Sequence, residues 1–165
     1  MSRAGELVGD AFRERVTSDA GAQVISFRLG GELCACDVML VQEVVTRRPV
    51  HPLPDMPERL LGVLRLRGEL IPVLDIASLL DLTLTEAAQR SILVVDGGFG
   101  WLGIATDGVS EVLHLPGGSY RPAPLTGGER DALVLGVARV QGALLTLIDL
   151  AEILRETTLA RGEPS

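Results

Sequence analysis

Hydrophobic and polar positions along this chain fall into short runs punctuated by glycine. Residues 23–29 alternate as a strand does, Gly30-Gly31 supplies a hairpin turn, and residues 32–36 resume the run. Residues 38–45 set Val38, Leu40, Val41, Val44 and Val45 to one side and leave Gln42 and Glu43 off it. With Asp37 at the N-cap position, this spacing predicts a short amphipathic helix. Four prolines (Pro49, Pro52, Pro54 and Pro57) follow between residues 47 and 57 and deny that stretch both helix and central strand, so an extended loop is expected. A helical turn over 58–61, strands over 63–67 and 69–74 and a short helix over 76–80 complete the first half. The second half repeats this plan and ends in a helix from 150 to about 159.

The repetition is explicit. Residues 62–80, G-V-L-R-L-R-G-E-L-I-P-V-L-D-I-A-S-L-L, recur 74 positions later as 136–154, G-V-A-R-V-Q-G-A-L-L-T-L-I-D-L-A-E-I-L, with eight identities in 19 positions. Upstream, 25–37 and 92–107 share a run–Gly-Gly–run–Asp plan, and Gln42-Glu43-Val44-Val45 is matched by Ser110-Glu111-Val112-Leu113. The chain therefore reads as a flexible tail over 1–22 with at most one or two helical turns, one domain over 23–157 with halves at about 23–82 and 90–154, and a C-terminal tail over 158–165. Short strands and glycine turns in both halves predict a mainly β fold of two small barrels packed together, with short helices and a C-terminal helix.

The repeat also acts as a filter. Positions common to both halves, such as Gly68/Gly142 and Asp75/Asp149, are needed to build the fold, whereas positions that differ, such as Arg67/Gln141 and Pro72/Thr146, are candidates for function.

Composition narrows the classes. Hydrophobic residues make up 47% and aromatic residues only 3%, so the core must be built from Val, Leu, Ile and Ala. The net charge is −7 and all 15 basic residues are arginine. An acidic chain with few aromatics for stacking is ill suited to nucleic acid. No apolar run reaches the ~18 residues of a membrane span, and the charged N-terminal stretch has no signal-peptide core, so a cytoplasmic location is expected without membrane insertion. Residues 41–69 run against the balance, with five arginines against four acids, which marks a plausible partner surface.

Candidate chemistry is sparse. Cys34, Cys36, His51 and His114 match no compact zinc spacing, and the two cysteines, two apart on a strand, read as buried thiols on one face. The Asp75/Asp149 and Asp37/Asp107 pairs sit at strand ends, where Asp caps the next turn. There is no G-x-S-x-G elbow, and Gly30-Gly31 and Gly97-Gly98 lack a phosphate-loop context. Neither catalysis, a cofactor nor a metal is expected.

Several linked segments resemble one family. Leu66-Arg67-Gly68 followed by Ile71-Pro72-Val73-Leu74-Asp75 is similar to an N-L-R-G…P-(I/V)-(I/V)-D signature. Val41-Gln42-Glu43-Val44 resembles V-Q-E-I, Gly103-Ile104 with Asp107-Gly108-Val109-Ser110-Glu111-Val112 resembles G-I-x-V-D-x-V-x-(D/E)-V, and Arg121-Pro122-Ala123-Pro124 resembles R-P-A-P. Together they resemble the CheW coupling proteins of bacterial chemotaxis and the CheW-like domain of the CheA kinase. Arg65 departs from a common Asn, and Cys34-Ala35-Cys36 from Tyr-Gly-Ile. The resemblance implies two intertwined five-stranded barrels and a non-catalytic adaptor. Its implied partners are the regulatory domain of a CheA-type histidine kinase and the cytoplasmic tip of a chemoreceptor. The residues it points to for partner binding are Arg67, Glu43, Val41, Gly62 and Val112. For Glu43 the two lines of reasoning conflict, since Glu111 is its repeat mate.

Overall fold

The computed structural model describes residues 12–18, 21–85, 91–98, 100–128 and 130–160, without the side chains of 156–160. Eleven strands form two sheets. In the first half these are β1 (Ala22–Leu29), β2 (Glu32–Asp37), β3 (Val41–Thr46), β4 (Leu60–Leu66) and β5 (Glu69–Leu74). The second half contributes β6 (Ser91–Asp96), β7 (Trp101–Thr106), β8 (Gly108–Leu115), β9 (Tyr120–Arg121), β10 (Val134–Val140) and β11 (Ala143–Ile148). Sheet A has the order β8-β1-β2-β11-β10-β9 and sheet B the order β3-β6-β7-β5-β4. Each sheet therefore mixes the halves. The mixing occurs at two antiparallel seams, β1–β8 and β3–β6, and two parallel ones, β2–β11 and β5–β7.

The sequence repeat is reproduced in the register of the two hairpins. In the β4–β5 hairpin Leu60 faces Leu74 and Gly62 faces Val73, with an irregularity between. In β10–β11 their mates 74 positions on, Val134, Ile148, Gly136 and Leu147, do the same. Asp75 N–H donates to Arg59 O and Asp149 N–H to Leu133 O, both at 2.8 Å. Each Asp then caps the turn that follows, accepting from Ala77 N–H at 2.9 Å and Glu152 N–H at 3.1 Å respectively. That is the capping role expected of them.

Three apolar clusters result. Leu64, Leu66, Ile71, Val73 and Ile92 fill the concave side of sheet B, and Val24, Ala35, Leu145 and Leu147 that of sheet A. Between the sheets lies a larger shared core drawn from both halves, with Phe27, Leu74, Ile104 and Ile148 at its centre. Strand alternation sends Cys34 and Cys36 into this shared core and Ala35 the other way. Burial, reinforced by the nearby Glu32 carboxylate, pushes the Cys34 thiol up to about 12, so it stays protonated and unreactive.

Several expectations need correction. Residues 38–45 are not a helix: only Val38–Leu40 make a 3-10 turn, and 41–46 form β3. Asp37 does cap that turn, accepting from Met39 N–H at 3.0 Å. The Val-rich segment then satisfies its backbone by pairing with β6. The helical turn expected over 58–61 is absent, since β4 already begins at Leu60, and the helix expected over 76–80 is a 3-10 turn over Ala77–Leu80. Neither sheet closes into a full barrel by hydrogen bonding, although the two-halved β architecture holds. The C-terminal helix runs over Leu150–Ala160.

The tail over 1–22 contains the helical turn or two that its sequence allows. Residues 12–17 are helical, and Phe12 and Val16, each 3% exposed, complete the core of sheet A. Arg13 pairs with the buried carboxylate of Asp149, and Arg15 with that of Asp37 at 3.2 Å. Burial raises the Asp37 pKa, and the Met39 N–H and the Arg15 guanidinium pull it part of the way back. Residues 1–11 and 161–165 of the two tails lie outside the described residues.

Two predictions come from this architecture. Expressed separately, the halves lose every seam between them, and at roughly 65 residues each is near the lower limit for an independent core. Neither should give a cooperative melt by circular dichroism; two soluble halves with sharp transitions would contradict the shared core. The second concerns Asp107, whose carboxylate accepts from Gly30 N–H and from Thr85 N–H and Oγ1 at 2.8 and 2.7 Å, tying a hairpin turn to the connection between the halves. Partial burial opposes its ionisation, but those hydrogen bonds outweigh it and hold the pKa below the ordinary value of 3.8. A depressed carboxylate contributes stability that is full above its unfolded pKa and fades as pH falls through the folded one. Asp107→Asn should therefore lower Tm at neutral pH and flatten the Tm–pH curve below about pH 4. Parallel curves for the two proteins would refute this.

Candidate functional site

β3 and β4 are the two edges of sheet B. Glu43 lies on β3 at the register irregularity opposite Val94, and Glu111 occupies the matching place on β8, so Glu43 and Glu111 are true structural mates. Arg67 and Gly68 are the two-residue turn between β4 and β5, at φ 52° and 79°; Gln141 and Gly142 make the same turn at 51° and 82°. Both are positive-φ hairpin turns, whose twist suits the flanking strands but which favour Asn or Gly at the first position. Arg67 is accordingly held in a left-handed conformation that costs a side-chain-bearing residue about 1 kcal/mol.

From that turn the Arg67 side chain reaches across the open seam, and its Nη1 lies 2.8 Å from Glu43 Oε1. The Arg67 side chain is 68% exposed and that of Glu43 26%. An exposed pair of this kind contributes only ~0–1 kcal/mol. What it does is fix the direction of the guanidinium. The mates Glu111 and Gln141 cannot make an ion pair, so the feature belongs to one half alone. Val44 and Leu70 add exposed apolar surface on sheet B, and their mates Val112 and Leu144 are likewise exposed on sheet A.

The five candidates do not form one cluster. Arg67 and Glu43 meet. Val41 is half-buried against the shared core, and Val112, 54% exposed, lies on the edge strand of the other sheet. Gly62 is buried: a Cβ there would sit 2.4 Å from His51 O, and one at Gly136 2.3 Å from Arg121 O. Gly62 thus admits a close backbone approach, which is the architectural role the repeat filter gives it.

Sequence reasoning marked residues 41–69 as a basic surface without singling out the residues beside Arg67. Outside β4, His51 forms an isolated bridge with Val63, with N–H···O distances of 2.8 and 2.9 Å. Arg121 on β9 faces Val137 in the same way, which aligns His51-Pro52-Leu53-Pro54 with Arg121-Pro122-Ala123-Pro124. That short echo was visible in the sequence. Pro49 stands at the place of Ser119, whose N–H donates to Pro116 O at 3.2 Å. Arg48 Nη1 donates to Arg65 O at 3.1 Å, and a shallow groove of about 420 Å³ opens between these residues, Leu64 and Arg67.

Residues 23–158 match the CheW-like domain. The chain belongs to this family. CheW of Rhizobium meliloti is 26% identical over 138 residues, covering 82% of this chain and 89% of the relative. CheW of Klebsiella aerogenes is 28% identical over 159 residues, 95% and 89% of the two chains. Among solved structures, the scaffolding protein TtCheW from Thermoanaerobacter tengcongensis superposes with a TM-score of 0.67 at 28% identity, covering 78% of this chain and 88% of that one. In this CheW-like chain the Arg67-bearing turn is therefore part of a shared architecture, and Arg48 and Arg65 lie immediately beside it.

The turn yields a stability prediction. Arg67→Gln copies the second half and should melt within a degree or so of wild type, whereas Arg67→Asn should relieve the left-handed strain and raise Tm by about 2–4 °C. A large drop for either, by calorimetry, would make Arg67 a structural residue.

Proposed function

We propose that this chain is a coupling adaptor without catalytic activity, holding the regulatory domain of a CheA-type histidine kinase against the cytoplasmic tip of a chemoreceptor. Its place would be the cytoplasmic side of receptor arrays; no helix among the described residues is long and apolar enough to cross a membrane. The observation that carries the reading is the Glu43–Arg67 pair. It is found in only one of two otherwise matching halves, and Gln141, at the same backbone angles, shows that the turn does not require arginine. An exposed arginine kept where the turn accepts glutamine supports a role in recognition. Arg67 supplies a planar, multi-donor contact, and Glu43 aims it. The mechanism is one of proximity and linkage: two partners held on one adaptor meet at high effective concentration, and the receptor's state biases the kinase through differential contacts.

The test is co-sedimentation of the protein with a receptor signalling fragment and a CheA-type kinase. Complete complexes should form only when all three are present. Arg67→Gln should weaken receptor-fragment or kinase binding by roughly thirtyfold, the loss of a ~2 kcal/mol contact, while Gln141→Arg leaves it unchanged. Glu43→Ala should share part of the Arg67 defect rather than add to it. Wild-type binding by Arg67→Gln would remove Arg67 from the site, and tight, steeply salt-dependent binding to single-stranded DNA would point to a different function altogether.

A further inference from the structure

The residues around the groove beside Arg67 differ from their mates in the second half. There Gly118 and Ser119 stand where Arg48 and Pro49 do, β9 continues the ladder, Tyr120 hydrogen-bonds Leu135 O at 2.7 Å, and Gln141 replaces Arg67; only Arg65 has a like mate, Arg139. In the first half, three guanidiniums, Arg48, Arg65 and Arg67, stand around a shallow floor at Leu64. All three arginines are exposed. Glu43 engages only Arg67, and the bond from Arg48 to Arg65 O fixes one end of a fork whose other donors remain available.

We propose that this groove receives an acidic segment of a partner protein, and that Arg48 and Arg65 set that preference. The inference rests on reading the Arg67 face as a partner surface and adds the partner's chemistry. Charge complementarity decides the class. The chain as a whole carries −7, so its general field repels acidic partners, a second copy included, and a local concentration of guanidiniums creates an attractive patch against that background. A planar guanidinium matches a carboxylate with two parallel bonds. The exposed Pro49 ring beside these guanidiniums suits the methylene stems of glutamate on a peptide rather than a small free anion.

The probe is a fluorescein-labelled glutamate-rich peptide, with its glutamine counterpart as control, titrated against the full chain by anisotropy at several salt concentrations. Wild type should bind the glutamate peptide saturably and more weakly as salt rises, and the glutamine peptide poorly. R48E/R65E should lose at least about tenfold in affinity with Tm unchanged, while R139E, the same charge reversal on the mate, binds as wild type. If R48E/R65E fails to fold, R48Q/R65Q makes the same comparison with a smaller loss. The proposal falls if both peptides bind alike, if R139E loses as much as R48E/R65E, or if inorganic phosphate displaces the peptide as readily as excess glutamate peptide does. The coupling role is read separately. Peptide binding without co-assembly sinks the coupling role and keeps the groove; co-assembly untouched by R48E/R65E, with no peptide binding, does the reverse.

Discussion

The structure depends on the two parallel ladders that cross between halves, β2 with β11 and β5 with β7. A parallel pair needs a long connection, so neither ladder could be made by a local hairpin. Each hairpin is therefore completed only by a strand distant in sequence. The large core between the sheets follows from this exchange, because strands entering each sheet from the other half carry their apolar faces into the same interior. The N-terminal helix and the connection between halves are then fastened by charge: Asp149 and Asp37 hold Arg13 and Arg15, and Asp107 holds Thr85.

On this near-symmetric frame, differences carry the information. Glycines 62 and 136 occupy one environment beneath a neighbouring carbonyl, and Asp75 and Asp149 cap equivalent turns. By contrast, the two hairpin turns share their backbone angles and differ in side chain, Arg against Gln. Geometry is inherited by both halves, and chemistry is placed on one. Pro49 and Arg48 extend that contrast, since Ser119 and Gly118 stand at their places in the other half and only the first half sets Arg48 beside Arg65 and Arg67.

What was legible in the sequence was local or repeated. The hairpins at Gly30-Gly31 and Gly68, the capping aspartates and the duplicated strands all announce themselves within a few residues or by recurrence. β3 was misread because its valines satisfy a helical spacing as well as a strand's, and the choice is made by β6, some fifty residues away. The docking of the N-terminal helical turns was hidden because Arg13 and Arg15 look like solvated charges until their buried partners are in place. Arg67 could be singled out because Gln141 stands at its mate. Arg48 could not, because its partner is a backbone carbonyl, which no side-chain pattern reveals.

The exchange of strands also has a history written into it. Two identical copies of one half, each lending its strands to the other, would assemble the same pair of sheets as an interwoven homodimer with a true two-fold axis. Such an ancestor would present every exposed residue twice, on opposite faces. Joining the copies in one polypeptide removes that obligation: one face can keep an arginine while the other drifts to glutamine, and an assembly that once had two interchangeable ends acquires a direction.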